Sequence, residues 1–329
     1  MSDNELYQYK KVFITGAAGF IGKALSDKYR AAGAQICGID FVADESRGIV
    51  VGDLSKPGAW AQVMAGCDLV IHTAAVVSNV ADPDFAWKVN SRGTADLVDL
   101  AAEKGVKRFL HLSSTAAFAF DFPADVTEDY ALKTNGNPYV DTKISSEHAV
   151  LARHARGDMD CTIVRPADVY GPGSRPWVIL PLEMLKAGQF TLPAHGQSIF
   201  SPVYVDDLLE GIVLAAGLPA GAGQIFTLSG GIGISCEEFF GNHNRWLGKK
   251  GKVKSVSTAV AKTLATLIGG TARFLGRESE MGVGTVDMLD REHTYSIERA
   301  KTLLGYNPGT SLEEGMRRTE EWARAEGLL

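Results

Sequence analysis

Cysteine is scarce in this chain, and what there is of it is scattered. Four residues, Cys37, Cys67, Cys161 and Cys236, occur among 329, and no two form a C-x-x-C pair. Paired metal-ligand spacing is therefore absent, and a chain this long does not rest on a disulfide framework. Buried, reduced thiols are the expectation. The seven histidines show no zinc-like spacing either, so no metal is expected. Positive charge is not in excess: 33 Lys and Arg face 39 Asp and Glu, a net charge of −6, which argues against a nucleic-acid partner. No apolar run reaches the roughly 18 residues of a membrane span. The opening MSDNELYQYKK lacks a basic-then-apolar export pattern, so a cytoplasmic protein is expected. Repeats and low-complexity stretches are missing too. What the chain does have is glycine, 36 residues, or about 11% against a usual ~7%. Such a surplus points to many tight turns between strands and helices.

Short β-branched runs supply the strands: VFIT (12–15), QICGI (35–39), GIVV (48–51), LVIHT (69–73), RFLHLS (108–113), CTIVR (161–165) and QIFTL (224–228). Segments of helical length, such as 21–32 and 86–104, lie between them. Continuously apolar strands separated by helices predict an α/β fold, a Rossmann-type doubly wound parallel sheet covered on both faces. That domain is expected over 10–172 plus 201–229. A smaller, mostly helical substrate lobe is expected over 173–200 plus 230–329, where only helices and turns are read after Gly230. Its last helix opens with Ser311 and, three residues on, Glu314, the signature of a capping box. Earlier in the lobe, Val256, Val260, Leu264, Leu267, Ile268 and Leu275 fall on one helical face. That face is expected to pack on the core or the substrate cleft, with contact to a membrane surface as the alternative.

Directly after the first strand stands Thr15-Gly16-Ala17-Ala18-Gly19-Phe20-Ile21-Gly22. Gly16 permits a tight turn, Gly19 lets the backbone approach a pyrophosphate, and Gly22 allows the helix to pack closely on the strand. The helix N-terminus that follows offers unpaired N–H groups and the positive end of its dipole. Asp40 ends the second strand, 24 residues after Gly16, where a carboxylate can accept the ribose hydroxyls of NAD and repel the 2′-phosphate of NADP. Asp53, after the third strand, is placed to meet the adenine edge. NAD is the expected cofactor.

Tyr139 and Lys143 lie four apart in YVDTK, on one face of a helix. An ammonium beside a phenol favours the phenolate and lowers its pKa, so that it can exchange a proton with an alcohol near neutrality. Tyr7 and Lys11 share this spacing but precede the first strand, where no cofactor reaches them. Ser113, Ser114 and Thr115 end the fifth strand, at the carboxyl edge where ligands bind. A hydroxyl there can hold the reacting oxygen, and the residues alone leave the choice among the three open.

With these motifs the chain resembles the extended short-chain dehydrogenase/reductases, the group of UDP-galactose 4-epimerase and the 3β-hydroxysteroid dehydrogenases. The resemblance rests on TGAAGFIG, Asp40, Gly52-Asp53-Leu54, His72-Thr73-Ala74-Ala75, Val89-Asn90 with Gly93-Thr94, YVDTK and RPADVYGPG, and covers nearly the whole chain. It implies Ser114, Tyr139 and Lys143 as the catalytic set. It implies a cofactor groove lined by Gly16, Gly19, Phe20, Ile21, Gly22, Asp40, Asp53, Leu54, Ala74, Ala75, Asn90, Tyr139 and Lys143, with Pro166 and Val169 near the nicotinamide. On the substrate side it places Val76, Ser78, Thr115, Asp168, Arg175, Trp177 and Phe200. A homodimer through the helices around Ala95 and Ser145 is also implied.

Departures from the family pattern point to a branch. Nucleotide-sugar members resemble R-[YF]-F-N-V-Y-G-P, and here Asp168 stands for the Asn, where a carboxylate would repel a diphosphate. Phe200 stands where those members carry a diphosphate-gripping Arg. The strand end reads Ser114-Thr115-Ala116 and lacks the T-D-E of sugar 4,6-dehydratases. The run TYSIERAKTLLGYNPGTSLEEGMRRTEEW looks like that of 3β-hydroxysteroid and sterol-carboxylate dehydrogenases. The expectation is an NAD-dependent dehydrogenase of a hydrophobic, steroid-like or alicyclic secondary alcohol. The alternatives are an NAD-retaining nucleotide-sugar 4-epimerase and a non-catalytic NAD-sensing protein.

Overall fold

The computed structural model describes residues 6–56, 58–274 and 282–329, with 269–274 described by backbone only. Seven strands form one all-parallel sheet: β1 (Lys11–Thr15), β2 (Gln35–Asp40), β3 (Ile49–Val51), β4 (Leu69–His72), β5 (Arg108–Leu112), β6 (Asp160–Pro166) and, far along the chain, a strand at Ile225–Leu228. Their spatial order runs from Ile225–Leu228 through β6, β5, β4 and β1 to β2 and β3. The order reverses between β1 and β4, and a crevice opens there at the carboxyl ends of the strands. All seven expected strands are present, within two residues of their predicted bounds.

The sheet has two apolar faces because alternate strand residues point opposite ways. Val12 and Ile14 join one buried cluster, and Phe13 of the same strand joins the other with Cys37, Val70 and Phe109. Helices cover both faces. The first, α1 (Phe20–Ala31), follows the glycine-rich turn. The segment predicted over 86–104 is helical but uneven: a short turn at Pro83–Ala86 and a wide π turn at Trp87–Arg92 lead into α2 (Gly93–Glu103). Next comes α3 (Pro138–His154), which starts sharply because Pro138 occupies its first turn. The Asn137 side chain also accepts from the N–H groups of Tyr139 (2.9 Å) and Val140 (3.2 Å).

The C-terminal part is mostly helical but not purely so. A two-residue strand at Ile234–Ser235 pairs antiparallel with Ile199–Phe200, which corrects the reading of only helices and turns beyond Gly230. Asp168–Tyr170 pairs parallel with Pro202–Tyr204 in a second small sheet. The last helix, Leu312–Ala325, is capped as predicted, with the Ser311 hydroxyl accepting from Glu314 N at 3.2 Å.

The helix at Thr258–Phe274 reverses its predicted orientation. Among the described side chains Ala261 and Ala265 are the buried ones, whereas Val260, Leu264 and Leu267 face outward. Small alanines let this helix approach its neighbours closely, and the larger apolar side chains are left on its other side; Leu275 lies outside the described residues. Among the described residues, no helix is long and apolar enough to cross a membrane.

Candidate active site

A cleft of about 490 Å³ opens at the strand-order reversal. Its floor is the turn after β1. Gly16 has φ +66°, a left-handed conformation, and a Cβ there would meet Thr73 Oγ1 at 2.9 Å. A Cβ on Gly22 would lie 2.1 Å from the carbonyl oxygen of Gly16, so only glycine lets α1 sit this close to the turn. Gly19 caps α1 without a side chain, leaving its first-turn N–H groups available to an anion. Asp40 lines the cleft and braces its floor: one carboxylate oxygen accepts from Ala18 N (2.9 Å), the other from Phe41 N (2.7 Å). A bare backbone cradle with a carboxylate at one end fits a dinucleotide, phosphates over the helix start and ribose at Asp40.

Most of the expected groove residues line this cleft: Gly16, Gly19, Phe20, Ile21, Gly22, Asp40, Leu54, Ala74, Ala75, Pro166 and Val169. Asp53 does not. It lies between the lining residues Gly52 and Leu54, and its carboxylate accepts from Ser55 N at 2.8 Å. Asn90 does not either. Its side chain is buried and spent on Val76 N (2.7 Å), Val76 O (3.0 Å) and Thr142 Oγ1 (3.1 Å). It shapes the wall by holding the 74–76 segment against α3. Phe41, Thr73, Val77, Ala167 and Pro176 also line the cleft and were not singled out. Four of them stand one residue beyond a predicted site residue (Asp40, Val76, Pro166 and Arg175), so extending each of these readings by a single position would have found them.

Ser114, Tyr139 and Lys143 converge at the other end. Among the three adjacent hydroxyls the geometry selects one. Ser113 is buried and donates to Glu147 Oε1 (2.5 Å). Thr115 is buried and hydrogen-bonds the Tyr295 hydroxyl, which removes it from the substrate side. Ser114 hydrogen-bonds the Tyr139 phenol and lines the cleft. Lys143 Nζ donates to Leu112 O at 2.8 Å and lies 5.8 Å from the centre of the Tyr139 ring. Burial lowers the Lys143 pKa to about 8, against a smaller upward pull from Glu147. The phenol departs from expectation, because burial raises the Tyr139 pKa and what pulls it down is the hydrogen bond from Ser114. The ammonium beside the ring does not overcome the loss of water.

Two predicted substrate residues turn out to be structural. Phe200 is fully buried in an aromatic cluster, with ring centres 4.0 Å from Phe239, 4.9 Å from Trp177 and 5.5 Å from Phe240. Asp168 is buried in an ion pair with Arg291 and also accepts from Ser201 N at 2.9 Å. Neither touches the cleft, and the Asp168 charge is already neutralised, so it repels no diphosphate there. Arg175 is exposed at the start of the turn whose Pro176 and Trp177 line the wall. Ser78 is off the wall with its hydroxyl accepting from Val80 N (3.1 Å), while Val76 is on it. His72 and His111 are core residues. His72 bonds Thr15 (2.7 Å) and Thr94 (2.8 Å), and His111 bonds Ser146 (2.9 Å).

Residues 12–228 match the model of the NAD dependent epimerase/dehydratase family. The chain belongs to that family. It is an enzyme of the extended short-chain dehydrogenase/reductase type, with NAD as its cofactor. Among curated relatives it is 29% identical to a UDP-glucose 4-epimerase of Mycolicibacterium smegmatis, over 95% of this chain and 98% of that one. It is 26% identical to a 3-beta-hydroxysteroid dehydrogenase of Mycolicibacterium neoaurum, over 93% of this chain and 89% of the relative. Among solved structures, an epimerase from Methanothermobacter thermautotrophicus superposes with a TM-score of 0.79 at 22% identity, over 98% of this chain and 95% of the other. These matches bear out the resemblance read from the motifs, including its likeness to 3β-hydroxysteroid dehydrogenases.

Proposed function

We propose that this enzyme interconverts a secondary alcohol and a ketone on a hydrophobic, steroid-like or alicyclic small molecule. One observation carries the reading. The wall beyond Tyr139 is built from Val76, Val77, Ala167, Val169, Pro176 and Trp177, with no guanidinium on it among the described residues. Of the arginines in the adjoining segments, Arg165 pairs with Glu147 and Arg291 with Asp168, each pair buried, while Arg175 stands exposed beside Pro176 and off the wall. A diphosphate entering such a site would shed water without a charge-assisted donor to replace it, whereas an apolar ring system loses nothing.

In this reading, the Tyr139 phenolate takes the hydroxyl proton while Ser114 donates a hydrogen bond to the same oxygen. NAD, when bound, supplies the hydride acceptor. Lys143 keeps a positive charge near the phenolate as it forms. The productive form has Tyr139 ionised and Lys143 protonated. Since the phenol is pushed up and the ammonium down, this form is the minor one of the singly deprotonated states. The rate of alcohol oxidation should therefore rise with pH with a midpoint near Lys143's value of about 8, and fall only where the phenol itself titrates. An optimum at pH 6 in a kcat/KM profile would refute this ordering.

The decisive experiment is NADH formation by the purified enzyme across hydroxysteroids, terpene alcohols and other secondary alcohols. Accumulating NADH supports the dehydrogenase reading. A second reading, epimerisation of a nucleotide sugar with no net redox, is favoured by the UDP-glucose 4-epimerase relative matched over 95% of this chain. Silence on the alcohols, together with UDP-galactose formed from UDP-glucose without free NADH, would replace the first reading by the second.

A further inference from the structure

Ser114 is the first residue of a tight turn, Thr115–Phe118, and its hydroxyl accepts from Ala116 N at 3.1 Å. Where Ser114 sits therefore depends on what holds that turn. Two buried ion pairs reach it. In the first, Arg165 binds Glu147 (2.9 and 2.7 Å) and lays its guanidinium 4.6 Å from the centre of the Phe118 ring. Toward the second, Tyr295 stacks on the same Phe118 ring, centres 5.7 Å apart and planes inclined by 23°. The Tyr295 hydroxyl accepts from Arg291 Nη1 (3.0 Å) and hydrogen-bonds Thr115. Arg291 is in turn paired with Asp168. Thr115, Arg291 and Tyr295 are all at most 3% exposed.

We propose that Tyr295 and Arg291, both far along the chain from the catalytic set, are positioning residues that fix Ser114 against Tyr139 through the Thr115 hydroxyl. This rests on the proposed roles of Ser114 and Tyr139 but not on any substrate. Phe118 alone fixes the far end of the turn. The Tyr295–Thr115 bond fixes the near end, next to the hydroxyl that must point at the phenol. A fixed donor matters because an oxygen held in place costs no reorganisation when charge develops on the substrate. Tyr139 is the reporter. The groups around it are Ser114, Lys143 on its own helix with Glu147 and Arg165 beyond, and His72 and His111 behind that ammonium. Of these, Ser114 is the one whose bond lowers the phenol's pKa.

Tyr295→Phe and Thr115→Val each delete the hydroxyl pair and keep the shape. Tyr139 ionisation is followed as phenolate absorbance in the full chain, minus that of the same variant carrying Tyr139→Phe, alongside thermal stability and NADH affinity. We expect both variants to fold and bind NADH normally while Tyr139 titrates at higher pH than in the wild type, and Thr115→Ser to restore the original curve. With an alcohol substrate, kcat should fall about five-fold, one hydrogen bond's worth, with KM unchanged. An unmoved Tyr139 titration in a folded Tyr295→Phe enzyme would overturn the proposal. Because that titration needs no substrate, its outcome is separate from whether an alcohol is ever turned over.

Discussion

On the proposed reading, Tyr139→Phe should lower alcohol oxidation by about a thousand-fold, within the range that a positioned proton carrier contributes, while NAD remains bound. The ring itself packs beside Ala116, Ala117, Val140 and Ile144, and phenylalanine keeps those contacts. What disappears is the group at this end of the cleft that, among the described residues, is placed to take the hydroxyl proton. Ser114 is a donor whose own proton is far too tightly held. Lys143 is committed to Leu112 O, and its role is charge rather than proton removal. His72, pushed down to about 3 by burial, and His111 are core residues bonded to Thr15, Thr94 and Ser146. With no substitute base nearby, the loss should appear in kcat and leave the NADH dissociation constant nearly unchanged. Paired stopped-flow and fluorescence titrations check both. Turnover within tenfold of wild type would remove Tyr139 from the proton path.

The parts of this site that follow from local geometry were legible in the sequence. A strand of VFIT followed by glycines at fixed offsets can fold almost only one way, because Gly16 must adopt positive φ and Gly22 must abut Gly16's carbonyl. Tyr139 and Lys143 were readable because helical spacing alone places them on one face. The substrate wall was not. Phe200 and Asp168 were read through a family pattern as cleft residues, but their surroundings depend on partners distant in sequence. Phe200 meets Phe239 and Phe240, and Asp168 meets Arg291, 123 positions away. No spacing rule links such positions, so an unpaired charge in the sequence became a neutral pair in the structure. The pKa of Tyr139 failed similarly: proximity to Lys143 was visible, but the extent of burial that outweighs it was not. Glu147 was within reach of sequence reasoning. It stands four residues after Lys143 on the inner face of the same helix, where a charged residue needs a buried partner.

That residue carries a large expected stability effect. Glu147→Ala should destabilise the folded enzyme by about 3–5 kcal/mol, the usual cost of breaking a buried ion pair from one side. Both members are 1% exposed. Arg165 would keep its charge with no carboxylate, and its Nη1 is already without a hydrogen-bond partner. Ser113 would lose its acceptor as well. Removing both charges together, as Glu147→Leu with Arg165→Met, should recover much of the loss, since apolar groups of similar volume need no counterion. Denaturant midpoints of the two variants test this. Equal destabilisation of single and double variants would show that packing, not the stranded charge, dominates. The milder Glu147→Gln separates stability from chemistry. Glu147 raises the Lys143 pKa, so its neutralisation should move the alkaline rise in alcohol oxidation from near 8 toward lower pH. It should also lower the plateau, because a more weakly basic Lys143 leaves less of the enzyme with Lys143 charged and Tyr139 ionised. The same carboxylate thus holds the arginine that supports the Ser114 turn and sets the charge beside the phenol, coupling the two halves of the catalytic pair through one buried group.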